Sequence, residues 1–343
     1  MKSPTIYDVA NRAGVSISTV SLALNHPQRV SAASRQRVLA AVDALGFQPK
    51  SESVSRARRG VGRVGVIAAF TNYSSFHARL DGILEGAAEH RSPVEVVLFD
   101  HPKSAGSADP LVDTVPVKGQ VDGLIVMGAP VTESAAQRIG DLQMPCVLVD
   151  SGTLDPRFPT VEVDDYRGGV LAAEHLLTRG MERFIFLGEA QGSEQYVSQS
   201  QLRFQGFSQE LARCGFPIPD TQVALIAHTV DEARRAVEGL LMTVAVPFGL
   251  FAHSDVLAAG AIRAVGDRGL LPGRDVAVVG YDDSELAEAL DLTSVRQPLR
   301  ESGRVAVRLL LDELQQEETT AVRNVQLKVS LVPRGSTVGT ETA

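Results

Sequence analysis

Apolar positions in the first 46 residues recur every three or four residues, which is the spacing of amphipathic helices. A first helix is predicted to begin at Thr5, which forms a Thr-x-x-acid capping box with Asp8. A second helix is predicted over 17–25, after Ser16 as its N-cap, and a third after Ser31. Helices joined by a short, glycine-containing turn are typical of a helix-turn-helix unit, although a structural three-helix bundle shares the pattern.

After residue 61 the pattern changes to short apolar runs that alternate with helical stretches. This alternation predicts an α/β body with parallel sheets covered by helices on both faces. About 280 residues of it exceed what one modest sheet holds, so two Rossmann-like, doubly wound lobes are predicted. The predicted strands are 64–70, 94–99, 123–127, 146–149, 184–187, 223–226, 248–251 and 276–279.

Two segments follow neither pattern. Residues 47–60 are polar and basic, which predicts a linker or a helix that folds only under some conditions. Residues 101–119 contain three prolines, so the crossover expected there is irregular. The two cysteines, Cys146 and Cys214, are too few for a disulfide framework and are expected to be buried free thiols.

Charge is distributed unevenly along the chain. The formal net charge is −8, yet residues 1–63 hold ten Lys and Arg against three acids, so they carry +7 and the remainder −15. A basic head on an acidic body suits a polyanionic partner; a solvated helical face is the plainer explanation. Since no apolar run is long enough for a membrane span or a signal peptide, a cytoplasmic protein is expected.

Motifs for catalysis are missing or misplaced. The string at 60–65 matches G-x-G-x-x-G, but it enters a predicted strand instead of opening a helix, which argues against a dinucleotide site. The seven histidines lack metal-ligand spacing and no nucleophile elbow is present, so no enzyme, cofactor or metal is expected. Paired acids at 164–165 and 282–283 end predicted strands, where carboxylates either take part in catalysis or bind ligand hydroxyl groups; with no nucleophile or metal cluster beside them, we expect binding.

The second predicted helix has the side chains of a DNA-reading helix. Hydroxyl groups at a helix N-terminus suit phosphate oxygens, and residues near the start of a recognition helix reach base edges. Leu22 offers an apolar contact to a thymine methyl or else belongs to the small core, and Asn25 is alternatively a C-cap. The side chains predicted to face DNA are Ser16, Ile17, Ser18, Thr19, Ser21, Leu22 and Asn25.

Ordered motifs continue along the whole chain. In the head they lie at 5–10, 13–16, 18–21, 24–25, 30–31, 37–38 and 45–47, and in the body at 203–207, 251–255, 278–283 and 294–298. With these motifs, residues 4 to about 337 resemble the lac/galactose repressor family of bacterial transcription regulators. The resemblance adds Thr5, Ser31 and Arg56 to the expected DNA contacts.

The resemblance implies a homodimeric, operator-binding regulator, expected to be a repressor. It implies a head at 1–46, a hinge at 47–60, an N-terminal lobe at 61–160 plus about 295–325, and a C-terminal lobe at 161–294 plus about 326–340. The lobes would resemble periplasmic sugar-binding proteins and close on a small effector, expected to be a carbohydrate. A solute-binding receptor of that periplasmic type is the alternative, but it needs an export signal and has no use for a basic head.

Three departures from the family pattern change the expected contacts. Leu22 stands where many relatives carry an arginine that reads guanine, so the operator should differ from the common half-site. Arg56 aligns with the leucine that wedges into the minor groove, which leaves the kinking of DNA open. Ser254 replaces an asparagine that contacts the effector.

The resemblance also implies the effector contacts. Arg203 would donate to ligand oxygens, or alternatively forms a salt bridge with a neighbouring acid. Phe76 would stack on a sugar ring, or only pack its helix. The expected effector-binding residues are Tyr73, Ser75, Phe76, Asp150, Arg203, Ser254 and Asp282.

Overall fold

The structure is a computed structural model that describes residues 4–47, 62–68, 71, 73–100, 110–152, 155–190, 198–315 and 322–338. The chain forms two compact units, Met1–Glu162 with Arg300–Val325 and Val163–Leu299 with Gln326–Ala343. The helical head belongs to the first unit, and we call the rest of that unit the first lobe and the second unit the second lobe. Arg56 and its neighbours in the predicted hinge lie outside the described residues.

The head consists of three helices: α1 (Ile6–Ala13), α2 (Ile17–Asn25) and α3 (Ala32–Leu45). The capping box of α1 is present, and Ser16 and Ser31 cap α2 and α3 through their hydroxyl groups, as predicted. Gly14 and Gly46 end α1 and α3 at φ of 64° and 59°, a left-handed conformation that favours glycine. The helices enclose a small core of Val9, Ala10, Ala13, Val20, Ala23, Leu24, Val38, Leu39, Ala41 and Val42.

The lobes contain the strands. The described ones are β1 (Gly62–Ala68), β2 (Val94–Asp100), β3 (Gly123–Met127), β4 (Cys146–Val149), β5 (Thr160–Val163), β6 (Phe184–Glu189), β7 (Val223–Ile226), β8 (Phe248–Ala252), β9 (Val276–Asp282), β10 (Thr293–Arg296), β11 (Asn324–Leu327) and β12 (Ser330–Val332). The first sheet has the order β11-β5-β4-β3-β1-β2 and the second has the order β12-β10-β9-β8-β6-β7. The two sheets are therefore wound in the same way.

Helices cover the sheets. They are α4 (Ser74–Ala88), α5 (Pro110–Thr114), α6 (Glu133–Asp141), α7 (Asp165–Thr178), α8 (Gln199–Arg213), α9 (Val230–Leu240), α10 (Asp255–Asp267), α11 (Glu285–Ala289) and α12 (Leu299–Gln315). Strands β1–β5 pair in parallel, as do β6–β10, while β12 pairs antiparallel with β10. Parallel strands covered on both faces are buried throughout, as in β3 and β8, which explains their continuous apolar runs.

The structure corrects one prediction and refines others. Cys146 is buried, but the prediction that Cys214 is buried was wrong: it is exposed because it follows the last turn of α8 on the outer surface. In the crossover between β2 and β3 the described residues form only the short helix α5 and one 3-10 turn, Pro116–Lys118. None of the described helices is long and apolar enough to cross a membrane.

Candidate functional site

The head presents the predicted DNA-facing residues on its surface. Ser16 accepts a hydrogen bond from the backbone N–H of Thr19 at 3.1 Å, so its hydroxyl lies at the N-terminus of α2. Ile17 is 41% exposed and Leu22 is 38% exposed, which places Leu22 outside the small core. Asn25 is exposed and donates to Ser21 Oγ at 3.4 Å, while His26 is the C-cap of the helix.

The other described residues of the expected contact set lie in α2 itself or cap a neighbouring helix. Thr5, Ser18 and Ser31 are exposed, and Thr19 and Ser21 are half-buried. Thr5 and Ser31 each cap a helix N-terminus, where free N–H groups favour an anion. The face therefore combines helix N-termini and small hydroxyl groups with two apolar side chains, which suits a DNA groove.

A buried arginine joins the head to the first lobe. Arg138 of α6, only 5% exposed, donates from Nε and Nη2 to the two carboxylate oxygens of Asp43 in α3, at 2.9 and 3.0 Å. Its Nη1 donates to Asp113 Oδ1 at 3.1 Å. Burial disfavours the charged guanidinium, but the hydrogen bonds and attraction to Asp43, with a further contribution from Asp113, raise the pKa of Arg138 above its usual value. Val117 of the same lobe adds to the apolar core of the head.

The carboxyl edge of the first sheet carries an arginine–aspartate pair. Asp150 directly follows β4, is buried, and adopts a φ of 45°, which is uncommon for a residue other than glycine. Arg79 of α4 donates to its carboxylate and, through Nε, to Ser302 Oγ at 3.2 Å. Asp150 thus lies where ligands bind open α/β sheets, held by a charged partner.

Three more predicted effector residues begin helix α4 in the first lobe. Tyr73 is its N-cap, and Tyr73 and Ser75 are half-buried. Phe76 is only 5% exposed, with its ring 5.5 Å from that of His77. Of Tyr73 and Phe76, Tyr73 is the more exposed residue.

The corresponding edge of the second sheet is organised around Arg203 of α8. This side chain is 6% exposed, donates from Nε to Asp165 at 2.7 Å and from Nη1 to the carbonyl of His253 at 2.6 Å, and lies 3.7 Å from the ring centre of Tyr281. Burial opposes its charge, but attraction to Asp165 and the neighbouring acidic groups raises the pKa of Arg203. The sequence had left open a salt bridge for this residue, and the structure shows one.

Two histidines lie at the same edge. His253 follows β8 and His228 follows β7, with ring centres 5.6 Å apart. Burial, the charge of Arg203 and its neighbour His228 lower the pKa of His253 well below its usual value, and burial and Arg203 lower the pKa of His228 to about 4. Both rings are therefore neutral at pH 7.

The other predicted residues of the second lobe surround this histidine pair. Ser254 is buried, caps α10 and lies 2.9 Å from His228 Nε2. Asp282 ends β9 with a φ of 106°, and its carboxylate accepts a hydrogen bond from Gln297. Arg203, Ser254 and Asp282 are thus brought to one sheet edge, as are Tyr73, Ser75 and Asp150 in the first lobe.

Sequence reasoning missed four residues of these edges: Arg79, Glu189, His228 and His253. The histidines were tested only for metal-ligand spacing, whereas the informative signal was that each comes directly after an apolar run. Among the described residues no group of His, Cys, Asp and Glu is arranged to hold a metal ion.

Comparisons with protein families match both parts of the chain. A model of the bacterial regulatory proteins of the lacI family matches residues 5–50, and a periplasmic binding protein-like domain matches residues 173–337. Catabolite control protein A of Priestia megaterium is 30% identical over 335 residues, covering 97% of this chain and 99% of that protein. The HTH-type transcriptional repressor CytR of Escherichia coli (strain K12) is also 30% identical, covering 97% and 96%.

Solved structures have the same architecture. A transcriptional regulator CelR–cellobiose complex aligns with a TM-score of 0.69 and 26% identity over 97% of this chain and 99% of that one. The lac repressor dimer bound to operator and the anti-inducer ONPF aligns with a TM-score of 0.67 and 26% identity over 98% and 100%. The helix-turn-helix head, the two similarly wound lobes and these full-length matches lead to one conclusion: the chain is a transcriptional regulator that belongs to the lacI family.

Proposed function

We propose that the protein is an operator-binding repressor whose affinity for DNA is controlled by a small effector bound at the carboxyl edges of its sheets. The observation that carries this proposal is the surface of α2, where hydroxyl groups and two exposed apolar side chains begin a helix in a basic head. An effector shifts operator affinity only as far as it binds one conformation of the protein more tightly than the other.

The head residues divide into three groups by chemistry. The hydroxyl groups at helix N-termini, on Thr5, Ser16, Thr19 and Ser31, contact phosphates and set the register of the head. Ser18, Ser21 and Asn25 contact base edges or phosphates beside them, and Ile17 and Leu22 contact thymine methyl groups. Arg56 of the hinge enters the minor groove, where arginine favours a narrow, strongly negative site.

Effector contacts are expected at the carboxyl edge of each sheet. Asp150 and Asp282 accept hydrogen bonds from hydroxyl groups, Arg203 and Ser254 orient the ligand, and Ser75 and Tyr73 contribute from the start of α4. Phe76 is buried, which favours packing for that ring and leaves Tyr73 as the aromatic that contacts the ligand. Hydrogen bonds between paired, buried side chains and ligand hydroxyls give specificity for a carbohydrate-like effector.

The working form is a homodimer in the cytoplasm, where chromosomal operators lie. Two heads bind half-sites about one helical turn apart, which requires a two-fold symmetric protein. The lac repressor, which aligns along almost the whole chain, is a dimer in its operator complex.

Footprinting over the promoter of the protein's own gene tests the proposal. The full chain is expected to protect a two-fold symmetric site, and its affinity should fall on the order of 10³-fold between 50 and 200 mM salt because phosphate contacts release counterions. Ser18→Ala should weaken the footprint, whereas Ala40→Ser on the exposed outer face of α3 should leave it unchanged. No protected site, or affinity independent of salt, would contradict the proposal.

A further inference from the structure

The head carries an acidic residue that its own fold does not use. Among the described residues of the head, the acids are Asp8 and Asp43. Asp8 completes the capping box of α1, whereas Asp43 lies in the last turn of α3. A carboxylate is unfavourable there, because the free carbonyl groups give a helix C-terminus a partial negative charge. It is also unfavourable in a domain that binds a polyanion, so the position of Asp43 calls for a partner outside the head.

That partner is a side chain of the first lobe whose geometry suits a carboxylate. Arg138 donates from Nε and Nη2 to the two carboxylate oxygens of Asp43, at 2.9 and 3.0 Å. Two parallel hydrogen bonds of this kind fix the direction of approach as well as the distance. The third nitrogen, Nη1, donates to Asp113 Oδ1 at 3.1 Å, and Arg138 and Asp113 are each 5% exposed. The guanidinium is therefore held by its own lobe on one side and binds the head on the other.

Apolar contacts accompany this polar one. Val117 of the lobe is 3% exposed and belongs to the same buried cluster as the core of the head. The 3-10 turn Pro27–Arg29 and helix α2 both contact α5 of the lobe. Because different parts of the head are held at once, the head cannot pivot about any single contact. The head thus lies on the first lobe in one defined orientation.

The docked head keeps its proposed DNA-binding face accessible. Ser31 and Asp43 lie near opposite ends of α3, about 18 Å apart by the rise of an α-helix. With the lobe in place, Ile17 is still 41% exposed and Leu22 is 38% exposed, and Ser18 is exposed as well. The contact with the lobe is therefore compatible with DNA binding, which argues against an autoinhibitory role.

Docking limits which operators a dimer can bind. A head joined only by a polar peptide segment samples many orientations and can follow half-sites at different separations. Two added base pairs move a half-site by about 7 Å and rotate it by about 70°, since one turn of DNA takes about 10 base pairs and 34 Å. A docked head cannot follow that movement without breaking the contact between Asp43 and Arg138. Binding to a wrongly spaced operator therefore costs the separation of one head from its lobe.

We propose that the first lobe carries a head-docking surface, made of Asp113, Val117 and Arg138, that holds the head in its DNA-binding orientation and thereby selects operators by the separation of their half-sites. Arg138 and Asp43 are positioning residues, because they act through the orientation of the head. The inference rests on the proposed function and adds to it a determinant of operator choice that reads no base.

Operators with altered spacing test this proposal. The full-length protein is titrated by fluorescence anisotropy with the site protected in footprinting, with copies that carry two or five extra base pairs between the half-sites, and with a single half-site. Wild-type protein should bind the copy with two extra base pairs about tenfold or more weakly than the natural site, because a charge-assisted, bidentate pair must break. Asp43→Ala should reduce that ratio about threefold or more while binding the single half-site no more weakly than wild type. A head that was only destabilised would bind every duplex more weakly and keep the ratio.

Asp141→Ala is the matched control for Asp43→Ala. Asp141 lies at the exposed end of α6, where it accepts a hydrogen bond from Gln137 of the same helix, and its removal changes the net charge equally. This variant should keep the wild-type spacing ratio. Asp43→Asn, which retains an oxygen that accepts from Arg138, should give a ratio between those of wild type and Asp43→Ala. A wild-type ratio in Asp43→Ala overturns the inference.

Hydrogen exchange of the wild-type protein, followed by mass spectrometry, keeps the test decisive if Asp43→Ala does not fold. Residues 110–118 and helix α6 should exchange no faster in the operator complex than in the free protein, because the head stays docked on them. Faster exchange in both segments on binding operator would mean that the head leaves the lobe, which overturns the inference. Wild-type protein that never binds operator contradicts the proposed function, whereas equal binding of every spacing by wild-type protein contradicts this inference alone.

Discussion

The two lobes contain the same helix pair, built around an arginine and a glycine three residues apart. These are Arg79 and Gly82 on α4 of the first lobe and Arg203 and Gly206 on α8 of the second. A Cβ atom at Gly82 would overlap the carbonyl oxygen of Arg300 in α12, and one at Gly206 would overlap that of Tyr166 in α7. The two pairs therefore pack backbone against backbone in the same way.

The contact is reciprocal in both lobes. Gly303 of α12 meets the carbonyl oxygen of Arg79, and Gly169 of α7 meets that of Arg203. Matching the two pairs through these contacts places Leu299, the first residue of α12, where α7 has Asp165.

That one position separates the chemistry of the two edges. Arg203 is held by Asp165 within its helix pair, while Arg79 is paired with Asp150 at the sheet edge. In the second lobe the charge of the arginine is thus balanced within the helix pair, next to the neutral ring of His253. One shared backbone arrangement therefore supports two different surfaces for a ligand.

The largest effect is expected from breaking either arginine pair. Asp165→Leu copies the leucine at the matching position of α12 and leaves Arg203 buried without its closest carboxylate, and Asp150→Asn, which keeps a residue type tolerated at positive φ, removes the carboxylate charge that faces Arg79. Each should lower the free energy of unfolding of its own lobe by about 3–5 kcal/mol. Hydrogen exchange followed by mass spectrometry, which resolves the lobes separately, measures the loss.

The double variant Arg203→Met/Asp165→Leu is the control for this comparison. It removes both charges while keeping similar volume, so most of the lost stability should return. A double variant no more stable than Asp165→Leu would show that packing, not the unpaired charge, sets the cost.

The shared glycines should give the next largest effect. Gly206→Ala and Gly82→Ala each force the facing helices apart and should cost about 2–3 kcal/mol in their respective lobes. Gly239→Ala and Gly140→Ala are matched helical controls, since a Cβ at either meets nothing within 4 Å, and alanine there should stabilise by about 0.5–1 kcal/mol. If Gly82→Ala and Gly206→Ala differed strongly, the two helix pairs would not be equivalent.

Lowering the pH should reduce the free energy of unfolding of the second lobe because this lobe contains two buried, neutral histidines. Its pKa of about 4 means that His228 stays neutral in the folded protein while the unfolded chain takes up a proton near pH 6.5. The contribution of His228 to the free energy of unfolding is therefore fully present above pH 6.5. It falls as the pH drops toward 4, by about 2 kcal/mol between pH 7 and 5. His253, whose pKa is also lowered, adds a loss of the same sign.

Lobe-resolved unfolding at the two pH values measures this effect. His228→Gln should remove its part of the pH dependence of the second lobe. A second lobe equally stable at pH 5 and pH 7 would contradict the buried, neutral state of the histidines.

The smallest effect is expected where the first lobe holds the head. Asp43→Asn removes one carboxylate from Arg138 but leaves Asp113, and Asp43 itself is half-exposed, so the loss should be about 1 kcal/mol and confined to the head–lobe contact. Faster hydrogen exchange in α3 and α6 would report it. Asp141→Asn, at the exposed end of α6, is the control and should change neither helix, since asparagine keeps an oxygen that accepts the hydrogen bond from Gln137 Nε2.

Much of the fold followed from the sequence because its signals are local. The head combines a capping box, hydroxyl caps and terminal glycines, and each predicted helix was found. The central strands were predicted because they are buried on both faces and therefore read as continuous apolar runs. Strands β5, β10, β11 and β12 were not predicted, since they have only three or four residues and contain polar positions that interrupt an apolar run, unlike the equally short β4.

The sites were predicted only in part for the same reason. Asp150, Arg203 and Asp282 were found through a family resemblance, but their partners lie far along the chain: Arg79 is 71 residues from Asp150. Sequence periodicity does not report which acid neutralises which arginine. It also does not report that His253 is buried without a hydrogen-bond partner, because that depends on the packing of several strands.

The placement of Val117 in the core of the head has a consequence for dissecting the protein. A unit of about 45 residues is marginal as an independent domain because it buries little of its own surface. This head completes its interior with a side chain from the next domain and anchors α3 to the guanidinium of Arg138. An excised head would lose both contacts, so we expect it to be less stable alone than when it is joined to the first lobe.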